Sequence, residues 1–231
     1  MITSNYYNNG KKNSPKTAMI AIIDLSSKKL VNTIQLIELG GPGAIKHRGH
    51  VGGITIAGDY LWISSTIGDL KYLYSLSLSK VEQAKNGDLV KMDRKYGVRA
   101  ASAITYKNGE LWLVEYKKGS CKKDYSHKNS SAKLYRYKVN TDGSIKKVGD
   151  FKIPDRVQVM MITDTEFFFS RSCGRTNPSD LTIYKNQNGK LGKFVKSVKM
   201  PPMSEGIVQV VPTILLRVKY ELQFYEIINI Q

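Results

Sequence analysis

His50-Val51-Gly52-Gly53-Ile54-Thr55-Ile56-Ala57-Gly58-Asp59-Tyr60-Leu61-Trp62-Ile63-Ser64 reads as two strands joined by a tight turn. Apolar and polar residues alternate through Ile54-Thr55-Ile56. Gly58-Asp59 supplies hairpin chemistry, and the aromatic, β-branched run Tyr60-Leu61-Trp62-Ile63 follows. The pattern returns at Ala101-Ser102-Ala103-Ile104-Thr105-Tyr106, where Lys107-Asn108-Gly109 turns into Glu110-Leu111-Trp112-Leu113-Val114-Glu115. It returns again at Val157-Gln158-Val159-Met160-Met161-Ile162, where Thr163-Asp164-Thr165 turns into Glu166-Phe167-Phe168-Phe169-Ser170. A fourth, less regular copy begins at Glu205-Gly206-Ile207-Val208-Gln209-Val210.

The starts at 50, 101, 157 and 205 are separated by about 50 residues, the length of a propeller blade rather than of a helical repeat. Each copy has a second half. Ser75–Leu78, Leu134–Val139 and Leu181–Tyr184 read as third strands, and Ile145–Ile153 and Phe194–Met200 as fourth strands. Ahead of the first full copy, Ile2–Tyr7, Met19–Leu25 and Leu30–Leu36 read as second, third and fourth strands of a further copy whose innermost strand is missing. The pattern therefore predicts an all-β protein, a β-propeller of four-stranded antiparallel blades. About four to five blades are present, at roughly 1-40, 50-95, 100-154, 157-200 and 204-231, in a single domain over 1-231, with the first and last incomplete. A closing strand from the C-terminus and truncation from six blades are both open readings. Apolar residues alternate at period two and helical spacing is not sustained, which sets aside a bundle; the repeat weighs against a β-sandwich. Near the C-terminus, Leu216, Val218, Tyr220, Leu222 and Phe224 alternate with Arg217, Lys219, Glu221 and Gln223, which reads as one long strand without a turn residue.

The composition fits this class. At 231 residues with 41% hydrophobic content the chain can bury a full core, and 14 Tyr favour strands over helices. The formal charge of +17 is spread along the chain in pairs such as Lys28-Lys29, Lys117-Lys118 and Lys146-Lys147. This reads as a solvated lysine-rich surface, with an anionic polymer as the charge-driven alternative; no nucleic-acid motif is present. No apolar run approaches the roughly 20 residues of a membrane span. Met1-Ile2-Thr3-Ser4-Asn5 lacks the features of a signal peptide. An extracytoplasmic location is expected if the native chain extends further upstream, and a monomer is expected.

In a propeller the entry to strand one and the connection from strand two to strand three share one face. That face would gather His47, His50, Ser102, Gln158 and Glu205 with the loops 116–131 and 171–180. His50, before Gly52-Gly53, suits ligand binding or acid–base work, or a strand cap; His47 reads as a loop residue. Glu205 can coordinate Ca²⁺ or act as a base, or form a structural ion pair. Ser102 and Gln158 would offer hydrogen bonds. Arg171 and Arg175 would hold an anionic ligand or fix their loop. Cys121 and Cys173 fall on loops of adjacent blades; a disulfide and two free thiols are both open. Asn129-Ser130-Ser131 matches a glycosylation sequon, as chance allows in such a loop.

The stretch His50-Val51-Gly52-Gly53-Ile54 with Tyr60-Leu61-Trp62-Ile63-Ser64 resembles strand pairs of six-bladed propellers in the SMP-30/gluconolactonase and strictosidine-synthase-like superfamily. Ser204-Glu205-Gly206 is similar to the Glu-Gly start at which those lactonases bind a divalent cation such as Ca²⁺. The resemblance implies a metal ligand at Glu205, completed by two Asn/Asp positions. This chain has Ala101-Ser102 and Val157-Gln158 where Asn is expected. The reading that follows is a non-catalytic binding propeller for a small-molecule or polymer ligand, with His50, Ser102, Gln158, Arg171 and Glu205 as its ligand-binding residues. The alternative is a metal-dependent hydrolase using Glu205 and His50.

Overall fold

The computed structural model describes residues 1–7, 16–40, 43–119, 121, 129–210, 213–218 and 224–229, with side chains through 207. The residues group into two compact units, Met1–Ala101 and Ser102–Gln231. Each is built from sheets of short strands.

In the first unit, β1 (Ile2–Tyr7), β2 (Thr17–Asp24) and β3 (Lys29–Ile37) form an antiparallel meander. A second meander follows: β4 (His50–Ala57), β5 (Tyr60–Ile67) and β6 (Leu70–Ser77). Its fourth strand comes after an insertion. The helix α1 (Leu78–Gln83) and the short strand β7 (Leu89–Lys91) precede β8 (Arg94–Gly97), which completes the sheet beside β6. β7 leaves that sheet and pairs in parallel with β3. The helix is a departure from the sequence reading. Val81 is its buried residue, with Leu78 packed half-buried beside the core, and six residues are too short to register as a helical period.

The second unit contains β9 (Ala103–Lys107), β10 (Glu110–Val114), β11 (Lys133–Val139) and β12 (Ile145–Lys152) in one antiparallel sheet. The next sheet is β13 (Val157–Ile162), β14 (Glu166–Arg171), β15 (Ser179–Gln187) and β16 (Lys190–Met200). The last has three strands, β17 (Ser204–Val210), β18 (Thr213–Val218) and β19 (Phe224–Asn229). The described residues thus form four four-stranded sheets and one of three strands. It is an all-β, propeller-like fold.

The expected single strand across Leu216–Phe224 is instead two. β18 and β19 pair antiparallel, with Arg217 opposite Phe224. Folding back gives the backbone of β18 a partner on both edges, which an isolated alternating strand would lack. Residues 219–223 lie outside the described ones.

The hairpin turns follow their sequence chemistry. Asn108 (φ 51°) and Gly109 (φ 80°) link β9 to β10, and Asn188 (φ 53°) and Gly189 (φ 78°) link β15 to β16. Two successive left-handed residues match the strand twist, and Asn-Gly is the pair that adopts them most easily. The two Leu-Trp pairs occupy the same place in successive sheets. Trp62 is fully buried and stacks with Tyr96 of its own sheet at 6.2 Å. Trp112 meets Phe151 at 6.3 Å and, across to the next sheet, Phe167 at 6.0 Å. In the first unit Ile20, Ile34, Leu36, Leu61, Ile63 and Leu76 form the core between the two sheets. In the second unit Trp112, Leu134, Phe167, Phe169 and Tyr184 do the same. Each fully buried side chain of this size contributes about 2–3 kcal/mol of burial free energy.

Candidate functional site

The first strands of three of the sheets share a local irregularity. The ladder β4–β5 slips between Val51 and Gly53, the ladder β13–β14 between Val157 and Val159, and the ladder β17–β18 between Ser204 and Gly206. Gly52, Gln158 and Glu205 are therefore the extra residues of β-bulges at matching points. A bulge leaves its residue out of the ladder and re-aims its side chain, and bulges recur next to functional sites. β13 and β17 pack side by side, so Gln158 and Glu205, both half-buried, occupy equivalent positions on adjacent strands. Nothing in the composition flags a bulge. The Gly-Gly pair at 52–53 and the Glu-Gly pair at 205–206 are its only traces in the sequence.

The surroundings of these residues are tightly tied. The Ser170 hydroxyl donates to the Ser204 carbonyl at 2.6 Å, which fastens the end of β14 to the start of β17. Asp155, in the connection from β12 to β13, accepts from the Ser130 hydroxyl at 2.5 Å and from the backbone N–H of Ser131 and Ala132. The Asp155 carbonyl accepts from Arg171 Nε at 2.9 Å. Arg171 is buried and committed to this backbone contact. Its neighbour Arg156, in the left-handed region at φ 67°, donates through Nε and a terminal guanidinium N–H to the Gly119 carbonyl. A Cβ on Gly119 would overlap the Asp155 side chain. Cys121 and Cys173 are joined by a disulfide with Cα atoms 5.8 Å apart. Asn177 Nδ2 donates to the Cys173 carbonyl at 2.8 Å. The Ser102 hydroxyl accepts from the Tyr116 N–H at 3.1 Å, just ahead of β9.

The structure therefore brings Ser102, Gln158, Arg171 and Glu205 to the end of the second unit at which β9, β13 and β17 begin. Ser102 and Arg171 fasten backbone there. Arg175 lies exposed in the same loop as Cys173, and the 116–131 loop is described only at 116–119, 121 and 129–131. Asp155 and Arg156 were not singled out by sequence reading. The signal was Pro154-Asp155 between two strands, a turn pair whose carboxylate is suited to capping backbone N–H groups.

His50 belongs to the first unit. It is exposed, and its ring stacks on Tyr6 at 5.6 Å, with the Tyr6 hydroxyl hydrogen-bonded to Nδ1. His47, expected as a loop residue, is instead fully buried. Its Nδ1 contacts the Glu38 carboxylate and its Nε2 lies 2.8 Å from the Ser65 hydroxyl. Ser65 also donates to the His50 carbonyl at 3.1 Å, and the Tyr74 hydroxyl donates to Glu38 at 3.2 Å. Lys95 Nζ stands 3.5 Å from Glu38 and 4.1 Å from the centre of the Tyr72 ring. Glu38, His47 and Ser65 have the connectivity of a serine–histidine–acid relay. Ser65 and His47 are both 0% exposed, so the hydroxyl has no path to a substrate and the relay acts as a structural lock. The lock was hidden because its members are spread over 38–74 and meet only when the 38–49 connection folds back on β3.

Gly49 completes the lock. A Cβ there would stand 2.5 Å from Ser65 Oγ and 2.8 Å from His47 Nε2. Gly49→Ala is expected to lower the stability of the first unit by about 1–3 kcal/mol, the usual cost of overpacking, read as the urea midpoint reported by Trp62 in a Trp112→Phe background. An unchanged midpoint would show that the lock tolerates displacement.

Among the described residues, no three His, Cys, Asp or Glu side chains are grouped to hold a metal ion. Among them, too, no helix is long and apolar enough to cross a membrane. No protein-family model matches the chain, and no curated protein is detectably similar in sequence. Two solved structures show weak likeness. A Lactobacillus plantarum protein is 11% identical with a TM-score of 0.42, over 98% of this chain and 65% of its own. A quinoprotein alcohol dehydrogenase-like protein from Bacteroides thetaiotaomicron is 12% identical with a TM-score of 0.39, over 80% of this chain and 52% of its own. This chain therefore spans less than two thirds of the length of either. The fold assignment rests on the strand pairing described above.

Proposed function

We propose that the protein is a binding module without catalytic activity. It takes a polar ligand, a small molecule or a segment of polymer, at the end of the second unit where β13 and β17 begin. One observation carries this reading: the paired bulges aim Gln158 and Glu205 from matching points on adjacent strands. The described parts of the neighbouring loops are fastened by Asp155, Arg156, Arg171 and the Cys121–Cys173 bond, which fixes those points before a ligand arrives. An amide and a carboxylate together suit a ligand rich in hydroxyl or amide groups.

The competing reading is the metal-dependent hydrolase that resemblance to the SMP-30/gluconolactonase superfamily implies, with Glu205 as metal ligand. Titration calorimetry with Ca²⁺, Mn²⁺ and Zn²⁺, paired with gluconolactone hydrolysis, separates the two. The binding reading expects no metal-dependent turnover. Lactone hydrolysis that needs a divalent ion and disappears in Glu205→Gln would overturn it.

A further inference from the structure

A second surface of the same unit carries a charge pattern that the fold does not require. On the ladder between β11 and β12, Lys138 lies directly opposite Lys146, and Lys133 directly opposite Lys152. Like charges facing each other across a ladder are destabilising. Lysines on an outer strand can be explained as guards against edge-to-edge pairing, which accounts for Lys146 and Lys152 on β12. It does not account for Lys138, which sits on the interior strand β11 and faces one of them.

Lys133 is answered by Asp150 at 3.0 Å, and Asp150 also takes Lys147. Lys138, Lys146, Lys152 and Lys190 are all exposed, and among the described residues none of them has an ion-pair partner. Lys152 and Lys190 line a surface hollow of about 350 Å³ between β12 and the start of β16, with Phe151 and Leu191 half-buried beside them. Lys138 is two residues beyond Arg136, which also lines the hollow, so strand alternation puts both on the same side of the sheet. Arg136 is already occupied. It makes a bidentate pair with Glu110 at 2.7 and 3.0 Å and stacks on Trp112 at 4.6 Å. β16 adds Lys193, Lys196 and Lys199 with no carboxylate on the strand itself.

We infer that this hollow and the lysines around it form a docking surface for a linear acidic polysaccharide, one carrying carboxylate or sulfate groups. Charge complementarity argues for a polyanion: Lys152 and Lys190 line a shallow trough whose one carboxylate, Asp150, is already taken by Lys133 and Lys147, and Lys138 and Lys146 add unpaired charge on the face that Arg136 shares. The aromatic geometry argues against single-stranded nucleic acid, which is held by stacking its bases on open rings. Phe151 is packed edge-on against Trp112 at 6.3 Å and Phe167 at 6.1 Å, and the Trp112 ring is covered by Arg136, so neither of these rings at the hollow is open for stacking. Lysines as point charges match the scattered anions of an acidic sugar chain, whereas bidentate phosphate recognition favours arginine. This surface is separate from the strand-entry site, and either assignment can fail alone.

The test uses the full chain and heparin as the sulfated polysaccharide, with titrations at several salt concentrations. The protein is expected to bind heparin with an affinity that falls steeply with salt. The variant K138Q/K146Q/K152Q/K190Q is expected to lose about tenfold or more in affinity and to show a shallower salt dependence. Its unfolding midpoint should be unchanged or raised, because like-charge repulsion is relieved. The control K16Q/K29Q/K85Q/K91Q removes the same charge from exposed lysines of the first unit and should lose less than about twofold. Equal losses in the two variants would reduce the effect to net charge and overturn the proposal. So would no heparin binding by the unaltered protein. Single-stranded DNA bound as tightly as heparin, with the same dependence on the four lysines, would overturn the assignment to a polysaccharide.

Discussion

His47→Ala is expected to lower the stability of the first unit by about 3 kcal/mol, within the range for deleting a buried side chain and leaving its hydrogen-bond partners unsatisfied. The ring is fully buried and serves two neighbours, Glu38 and Ser65. Without it, a largely buried carboxylate and a fully buried hydroxyl each lose a partner, and a cavity opens between β3 and β5. Urea unfolding followed through Trp62, with Trp112 replaced by Phe, measures the effect. A His47→Ala loss below about 1 kcal/mol would mean that the lock is an ordinary surface contact.

Acid should act through the same group. Burial by itself would raise the Glu38 carboxyl, but the hydrogen bond and charge of His47, then Lys95 and Tyr74, outweigh it and hold it below the usual range. A carboxyl depressed in the folded state adds stability that is complete above its unfolded value near 4.5 and is lost as pH falls through the folded value. The Tyr74 hydroxyl is pushed up, first by burial and then by the Glu38 charge, and so keeps its proton as donor to Glu38. Below pH 4.5 the wild-type first unit should therefore lose stability more steeply than His47→Ala, which has already given up most of that contribution.

The double variant C121S/C173S should lower the stability of the second unit by about 2–4 kcal/mol. The bridge closes a sequence separation of 52 residues, and a crosslink of that span removes much chain entropy from the unfolded state. Among the described residues, it also reinforces backbone-directed contacts at Asp155 and Arg156 that tie the same two loops. Trp112 fluorescence in the Trp62→Phe background reports this transition, and dithiothreitol treatment of the disulfide-bonded protein should reproduce the shift. Unlinked alkylated peptides containing Cys121 and Cys173 in non-reducing mass mapping would contradict the bridge outright.

The sheets were largely legible because strand chemistry is local. The Asn108-Gly109 and Asn188-Gly189 turns, and the alternation that precedes them, announce their hairpins without any tertiary context. The insertion was not legible. Leu78–Gln83 is too short to show a period, and β7 gains its place only by leaving its own repeat for the edge of β3. At the C-terminal end, the absence of Gly, Asn or Asp suggested one strand where two pair.

The site divided in the same way. Gln158 and Glu205 stand where a repeat alignment puts strand starts, but the bulge that re-aims them is a register slip between two strands, marked in the sequence by Gly206 beside Glu205 and by no glycine beside Gln158. For Arg171 the sequence left an anionic ligand and a loop-fixing role both open, because its charge is visible there and its contact with the Asp155 carbonyl is not. The Glu38–His47–Ser65 lock required the 38–49 connection to meet β5, and no spacing of residues announced it.

The most direct test of the proposed binding site is backbone amide NMR of the full chain during titration with a library of small polar fragments. Binders are expected to shift the resonances of 157–159, 171–174 and 203–206 together, and to lose these shifts in a Gln158→Ala/Glu205→Ala variant that remains folded. Binders that perturb only other surfaces, or that act equally on the double variant, would contradict the assignment.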